Sequence, residues 1–151
     1  MYGGVAFDFE NQLSTEQVFT GAATVSTDSY QKQTAAQDIS IGRRLALLVL
    51  PALVDADPAA THTLQVIQAD NAALTSNVEV LNTVTVLGTK LVLGEQVEVP
   101  IPQGVMTKQF IGFRHSAAGG TDNDATLDVY IMPQDEIAKY KTFPKVVDAK
   151  V

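Results

Sequence analysis

Alternation with a period of two runs through most of this chain. Thr61 to Gln68 sets His62, Leu64 and Val66 on one side and Thr63, Gln65 and Ile67 on the other. Asn77 to Leu87 repeats the pattern, with Val78, Val80, Val84 and Val86 on a shared face interrupted at Asn82, where a bulge or a break is expected. Val97, Val99 and Ile101 alternate into Pro102-Gln-Gly104, after Leu91-Val-Leu93 bracketed by Gly88 and Gly94. Gln17 to Ser26 reads as a first strand. Gln109 to His115 and Ala125 to Met132 read as a hairpin-like pair, joined by turn formers from Ser116 to Asp124. Helical periodicity is absent until Gln134 to Tyr140, enough for one or two turns. Short strands recurring about every 8–12 residues predict an all-β antiparallel sandwich or barrel.

One strand breaks the alternation. Leu45 to Val54 is apolar on both faces, so both faces must be covered, by two sheets or by a neighbouring subunit. Pro51 cannot donate a ladder hydrogen bond, which predicts a bulge or an edge at that point. An apolar strand near an edge needs a partner over it. The pattern divides the chain into an N-terminal arm (1–16), a β-sandwich (17–132) and a C-terminal tail with a possible short helix (133–151).

Charge and composition exclude several roles. The net charge is −7, and no dense basic stripe is present to neutralise phosphates, so no nucleic-acid partner is expected. Lys139, Lys141, Lys145 and Lys150 leave the final segment slightly positive on an acidic body. Cysteine is absent, which removes disulfides and thiolate metal sites. No signal-like start is visible and no apolar run approaches the ~20 residues of a membrane span, so a protein made in the cytoplasm without a membrane partner is expected.

Candidate chemistry is sparse. His62 and His115 are the two histidines, and a Ser-His-Asp system would need one of them beside a hydroxyl and a carboxylate. No Gly-x-Ser-x-Gly elbow accompanies them, and both fall on alternating strands, where histidines usually bond their neighbours. No catalytic residue is therefore assigned. Asp55, Asp57 and the Asp122-Asn-Asp124 run could supply part of a calcium shell, but Asp and Asn are also the default turn residues. No metal or cofactor is assigned. Gly42-Arg43-Arg44 lacks the Gly-Lys-Ser/Thr of a phosphate loop, and adjacent arginines on extended backbone point to opposite faces. Tyr30, Phe110 and Tyr130 could stack on sugars if they shared a surface, although the chain has no Trp.

Several short segments, taken in order, resemble the capsid cement (decoration) proteins of the Bordetella phage Bbp16 family. Gln17 to Ser26 is similar to the family's opening strand and polar linker, and Gln37-Asp-Ile39 with Gly42 to its Asp-Ile-Gly-type turn. Gly94 and Pro100-Ile-Pro-x-Gly104 resemble its Gly, then Leu-Pro-x-Gly, segment. Phe110-Ile-Gly-Phe113, the Gly-rich tip and Leu127 to Met132 resemble its closing hairpin. The similarity covers Leu13 to Gln134; Ile-Pro stands where the family has a Leu-Pro-like pair, and Lys139 to Val151 extends beyond the usual end.

The resemblance implies a jelly-roll-like sandwich, assembled as a homotrimer. It would sit outside an icosahedral phage head at three-fold and quasi-three-fold positions and clamp the major capsid protein. It brings no catalytic residues. On that reading the arm (Phe7, Phe9) and the tail (Tyr140, Phe143, Val147) are expected capsid contacts. Leu47, Val49, Leu53 and Arg43 are expected trimer contacts. Two other readings stay open: a carbohydrate- or receptor-binding sandwich, such as a head-fibre or lectin-like module, and a small β-fold hydrolase using His62 or His115.

Overall fold

The computed structural model describes residues 11–35, 37, 39, 42–53 and 57–142, the last four as backbone only. Among the described residues, nine strands and one α-helix follow in chain order: β1 (Gln12–Phe19), β2 (Thr24–Val25), β3 (Tyr30–Gln31), β4 (Leu45–Pro51), β5 (Thr61–Ala69), β6 (Glu79–Leu87), β7 (Val97–Pro100), β8 (Phe110–Ala118), β9 (Ala125–Pro133) and α1 (Gln134–Thr142), with a 3-10 turn at Gly88–Lys90. One sheet has the order β1-β9-β4-β7. The other runs β2-β8-β5-β6, with β3 also on β8. All pairings are antiparallel. Counting β2 and β3 as one interrupted strand, this is the eight-strand order of a jelly roll, two Greek keys folded onto each other.

The core lies between the sheets. Leu47 and Val49 of β4, Val97 and Val99 of β7, and Leu127, Val129 and Ile131 of β9 meet Leu64 and Val66 of β5 and Ile111 and Phe113 of β8. Phe19 closes one end edge-on to Phe113, with ring centroids 5.2 Å apart and planes at 86°. That geometry adds about 0.5–1.5 kcal/mol beyond the area the two rings bury.

The two-sided apolarity of β4 has an internal explanation. Its inward face is in the core, and its outward face, Ala46 and Leu48, packs under Ile137 of α1 together with Met132. The expected neighbouring subunit is thus replaced by the chain's own helix. β4 is a central strand between β9 and β7, and Pro51 sits where β7 has already ended, pairing with Leu127 alone. The missing N–H is therefore tolerated at a local edge.

Three other expectations change. β1 begins at Gln12, inside the stretch read as an arm, because register shifts at Ser14 and Gln17 put Leu13 and Ser14 both in the interior and erase the alternation. The expected strand 17–26 is really the end of β1 and β2, split by a turn through Gly21. β8 and β9 are not a hairpin: β8 pairs with β5 and β9 with β1 and β4, so their link crosses from one sheet to the other. The bulge expected at Asn82 is present. Val66 pairs with Asn82 and Ile67 with Val80, leaving Leu81 as the extra residue. Past it the faces swap, so Val84 and Val86 pack on the core while Val80 is exposed.

Every sheet edge is blunted. β1 is bulged and has Glu16 at a φ of 43°, β7 is four residues ending in Pro100, and β2 and β3 have two residues each. β6 is long and free of charge from Val80 to Leu87. There the Asn82 side chain accepts the Thr83 N–H at 2.9 Å and donates to the Pro100 carbonyl at 2.8 Å, capping the edge and tying it to the other sheet. Replacing Asn82 by Val should release an eight-residue neutral β-prone run. Concentration-dependent aggregation of Asn82→Val, measured by light scattering below its melting temperature, is the expected result; a variant as soluble as wild type would show that the cap is dispensable.

Candidate binding surface and the buried histidine pair

The two histidines meet in the core. His62 on β5 and His115 on β8 are both fully buried, and His62 Nδ1 lies 2.9 Å from His115 Nε2. They are diagonal neighbours on the inward face, because His115 pairs with Leu64 and His62 with Ala117. The His115 ring also meets Phe19 edge-on at 5.7 Å. One shared proton satisfies this contact, one ring donating and the other accepting. Burial first, reinforced by the neighbouring His62 and opposed by the Thr20 carbonyl, pushes the His115 pKa down to about 4. An imidazole pair sealed between two sheets has no approach for a substrate, so the pair is a core element. Sequence alone placed both rings on strands; that the strands are adjacent needed the topology.

The acidic turn residues also resolve into structure. One Asp57 carboxylate oxygen accepts the Ala59 N–H at 2.8 Å, and the other accepts the Thr121 N–H at 2.9 Å and its hydroxyl at 3.0 Å. These bonds, the Ala59 one first, hold the Asp57 pKa at about 2. Asp57 therefore latches the 119–122 turn to the 57–60 turn. Its folded pKa is below the ordinary value of 3.8, so the latch is complete above pH 3.8 and is lost as pH falls through about 2. Asp57→Asn should abolish that acid step and speed amide exchange at Thr121, read by hydrogen exchange. Unchanged exchange would show that the turn stands without it. Asp122 Oδ1 accepts the Asp124 N–H at 3.0 Å, an Asx-type turn. Among the described residues no cluster of three or more His, Cys, Asp or Glu could hold a metal ion. Asp55 lies outside the described residues.

The expected stacking platform is dispersed. Tyr30 packs against the main core, Tyr130 beneath α1, and Phe110 against Ile67, Ala69 and Leu74 on the far side of the second sheet. A cleft of about 180 Å³ between Tyr30, Ile39, Leu45, Ile131, Met132 and Pro133 is smaller than the ~300 Å³ at which small-molecule sites begin.

Of the expected trimer contacts, Leu47 and Val49 are fully buried within the chain and have no surface to offer. Leu53 is 51 % exposed. Arg43 is turned to its own helix: Nε and Nη2 donate to the Asp135 carboxylate at 3.2 and 3.0 Å, and Nη2 also reaches Glu136 at 3.2 Å. The bond to Asp135 is the main reason its pKa is raised. The pair straps the first turn of α1, where acidic residues complement the helix dipole. Of the expected capsid contacts, Phe7, Phe9, Phe143, Val147 and the Tyr140 side chain lie outside the described residues.

A surface that the sequence did not single out lies on the outward face of β6, β5 and β8. Pairing stacks three rows of three: Leu87–Thr61–Ala118, Thr85–Thr63–Ser116 and Thr83–Gln65–Arg114. All nine are exposed or half-exposed. Arg114 Nε donates to Gln65 Oε1 at 2.8 Å, and Gln65 Nε2 to the Thr83 hydroxyl at 3.3 Å. Beyond this grid the same face is covered: Leu74, from the 70–78 loop, sits on Gly112, where any Cβ would collide with the leucine side chain.

The Bbp16 family model matches residues 13–131, from the first core residue of β1 to near the end of β9. The chain belongs to the Bbp16 family. This is a phage-associated family, and the match spans nearly the whole sandwich. No curated protein matches this Bbp16-family chain. Among solved structures, the crystal structure of PirA is similar over 80% of this chain and 94% of its own, at 13% identity and a TM-score of 0.43, too distant to bear on role. No helix among the described residues is long and apolar enough to cross a membrane.

Proposed function

We propose that this Bbp16-family protein is a structural virion protein that decorates a tailed-phage head. In this reading it binds the outside of the icosahedral shell as a homotrimer at three-fold and quasi-three-fold positions. There it stabilises the lattice of the major capsid protein, without catalysis and without a cofactor. The family match over residues 13–131 carries the proposal. The structure supports it in physical terms. The sandwich closes its own core and blunts its sheet edges, so partners would meet finished faces and the terminal segments rather than extend a sheet. Binding strength would then come from a few apolar anchors within a broad contact, with Phe7, Phe9, Tyr140, Phe143 and Val147 the candidates at the two ends of the chain.

Co-sedimentation with undecorated heads tests the reading. Saturable pelleting and a higher disruption temperature of the decorated heads are expected. Protein that stays in the supernatant at every ratio would overturn it.

A further inference from the structure

The nine-position grid on β6, β5 and β8 contains no Asp, Glu or Lys, in a chain with 17 acidic residues and a net charge of −7. Its single charge is Arg114. Among the described residues no carboxylate forms an ion pair with that guanidinium, whose Nε donates to Gln65. Depletion of Lys, Asp and Glu with retention of Arg is one part of the compositional signature of an interface centre; the grid keeps Ser116 and Ala118 and has no aromatic residue. The flat array of Thr and Ser hydroxyls beside Gln65 gives both donors and acceptors, and Leu87, 55 % exposed, supplies an apolar corner.

Fold geometry narrows the choice of surface. On the other sheet α1 covers the outward face of β4 and β9 at Ala46, Leu48 and Met132, and the sheet edges are capped or short. The grid is the part of the second sheet's outward face that the 70–78 loop leaves uncovered.

We propose that this open face is an interface between copies of this chain, with Arg114 meeting a carboxylate of the neighbouring copy. Charge complementarity selects the occupant. The face is positive by one charge while the remainder of the molecule is strongly acidic, so a second copy supplies the matching carboxylates. Two grids stacked in register would set Arg114 against Arg114. The neighbour therefore presents a carboxylate-bearing part of its surface, not its own grid. The Nη groups of Arg114 remain to take a carboxylate oxygen while Nε stays on Gln65, so the guanidinium is oriented before contact. The inference takes up the self-association within the proposed function and assigns it a surface.

The test uses the purified full chain without heads, so that failure here and failure of head binding are separate results. Mass is measured by sedimentation velocity from low concentration to about 100 μM, well above the Kd of a specific interface. Wild type is expected to be oligomeric. Thr85→Asp, an exposed position on the grid, and Arg114→Glu should each weaken association by at least about tenfold, the size of one lost charge-assisted hydrogen bond. Thr89→Asp adds the same charge at an exposed position off the grid and should leave association unchanged. Because Arg114 is half-buried, the exposed Thr85 variant decides the matter if Arg114→Glu folds poorly. A monomeric wild type would overturn the assignment. So would an oligomer indifferent to both grid variants, or one weakened equally by Thr89→Asp.

Discussion

Acidification from pH 6.5 to pH 4 should cost this protein about 3 kcal/mol of stability through one side chain. His115 is neutral in the fold, with its pKa pushed down to about 4 from an ordinary 6.5. Between those values the unfolded chain binds a proton that the native chain does not. Stability is therefore complete above pH 6.5, falls through the window and levels off below about 4. A 2.5-unit separation corresponds to about 3 kcal/mol at 1.36 per unit, a large share of a domain's 5–15 kcal/mol. The geometry explains why the proton is refused. A cation at His115 would lie fully buried 2.9 Å from His62, with Phe19 edge-on at 5.7 Å and the Thr20 carbonyl favouring charge. Urea unfolding at intervals from pH 7.5 to 3.5 measures the profile. His62→Leu/His115→Leu removes both polar partners together, which avoids leaving one orphaned. The double variant should flatten the curve between pH 6.5 and 4, leaving the separate Asp57 step below it. A wild-type curve already flat in that window would exclude the pair as its cause.

Replacing Ile137 by Asp should lower the melting temperature by roughly 10 °C. Ile137 is the α1 side chain buried against Ala46, Leu48 and Met132. Losing such a side chain and setting a carboxylate in its place costs about 3–5 kcal/mol, at about 2–4 °C per kcal/mol for a chain of this size. A nine-residue helix is marginal alone, and the Arg43 strap is exposed and weak, so α1 should detach. Leu48 would then face solvent. Fast amide exchange confined to α1, with dye binding to the bared strand, is the expected signature. A melting temperature within 2 °C or so of wild type would mean that the helix is not the cover argued above.

Much of the fold was legible because period-two alternation survives wherever one face is buried and one wet. The regular strands β5 and β6 show it, and the Asn82 interruption marked a real bulge. Errors fell where that logic fails. At β1 two bulges buried consecutive residues, which no alternation can signal. At β4 the apolar run was read correctly as doubly covered, but its cover lies 90 residues downstream in a short helix of weak pattern. Leu47 and Val49, assigned to a neighbouring subunit, instead face the second sheet in the core. The grid escaped notice for another reason. Thr61, Thr63, Thr83, Thr85 and Arg114 are unremarkable in sequence and become a surface only through cross-strand register.

The strand order also constrains how the molecule can be born. β9 lies between β1 and β4, and β8 between β2 and β5. During synthesis the N-terminal strands thus emerge without the strands that separate them in the native sheets. Neither sheet can take its final order until residues 110–133 have left the ribosome, and the outward face of β4 waits longer still, for Ile137. Folding is accordingly a late and collective event, slowed by pairings between distant segments. The nascent chain carries the exposed Leu45–Pro51 run for most of its translation, which makes it a natural client for chaperones that shield apolar strands.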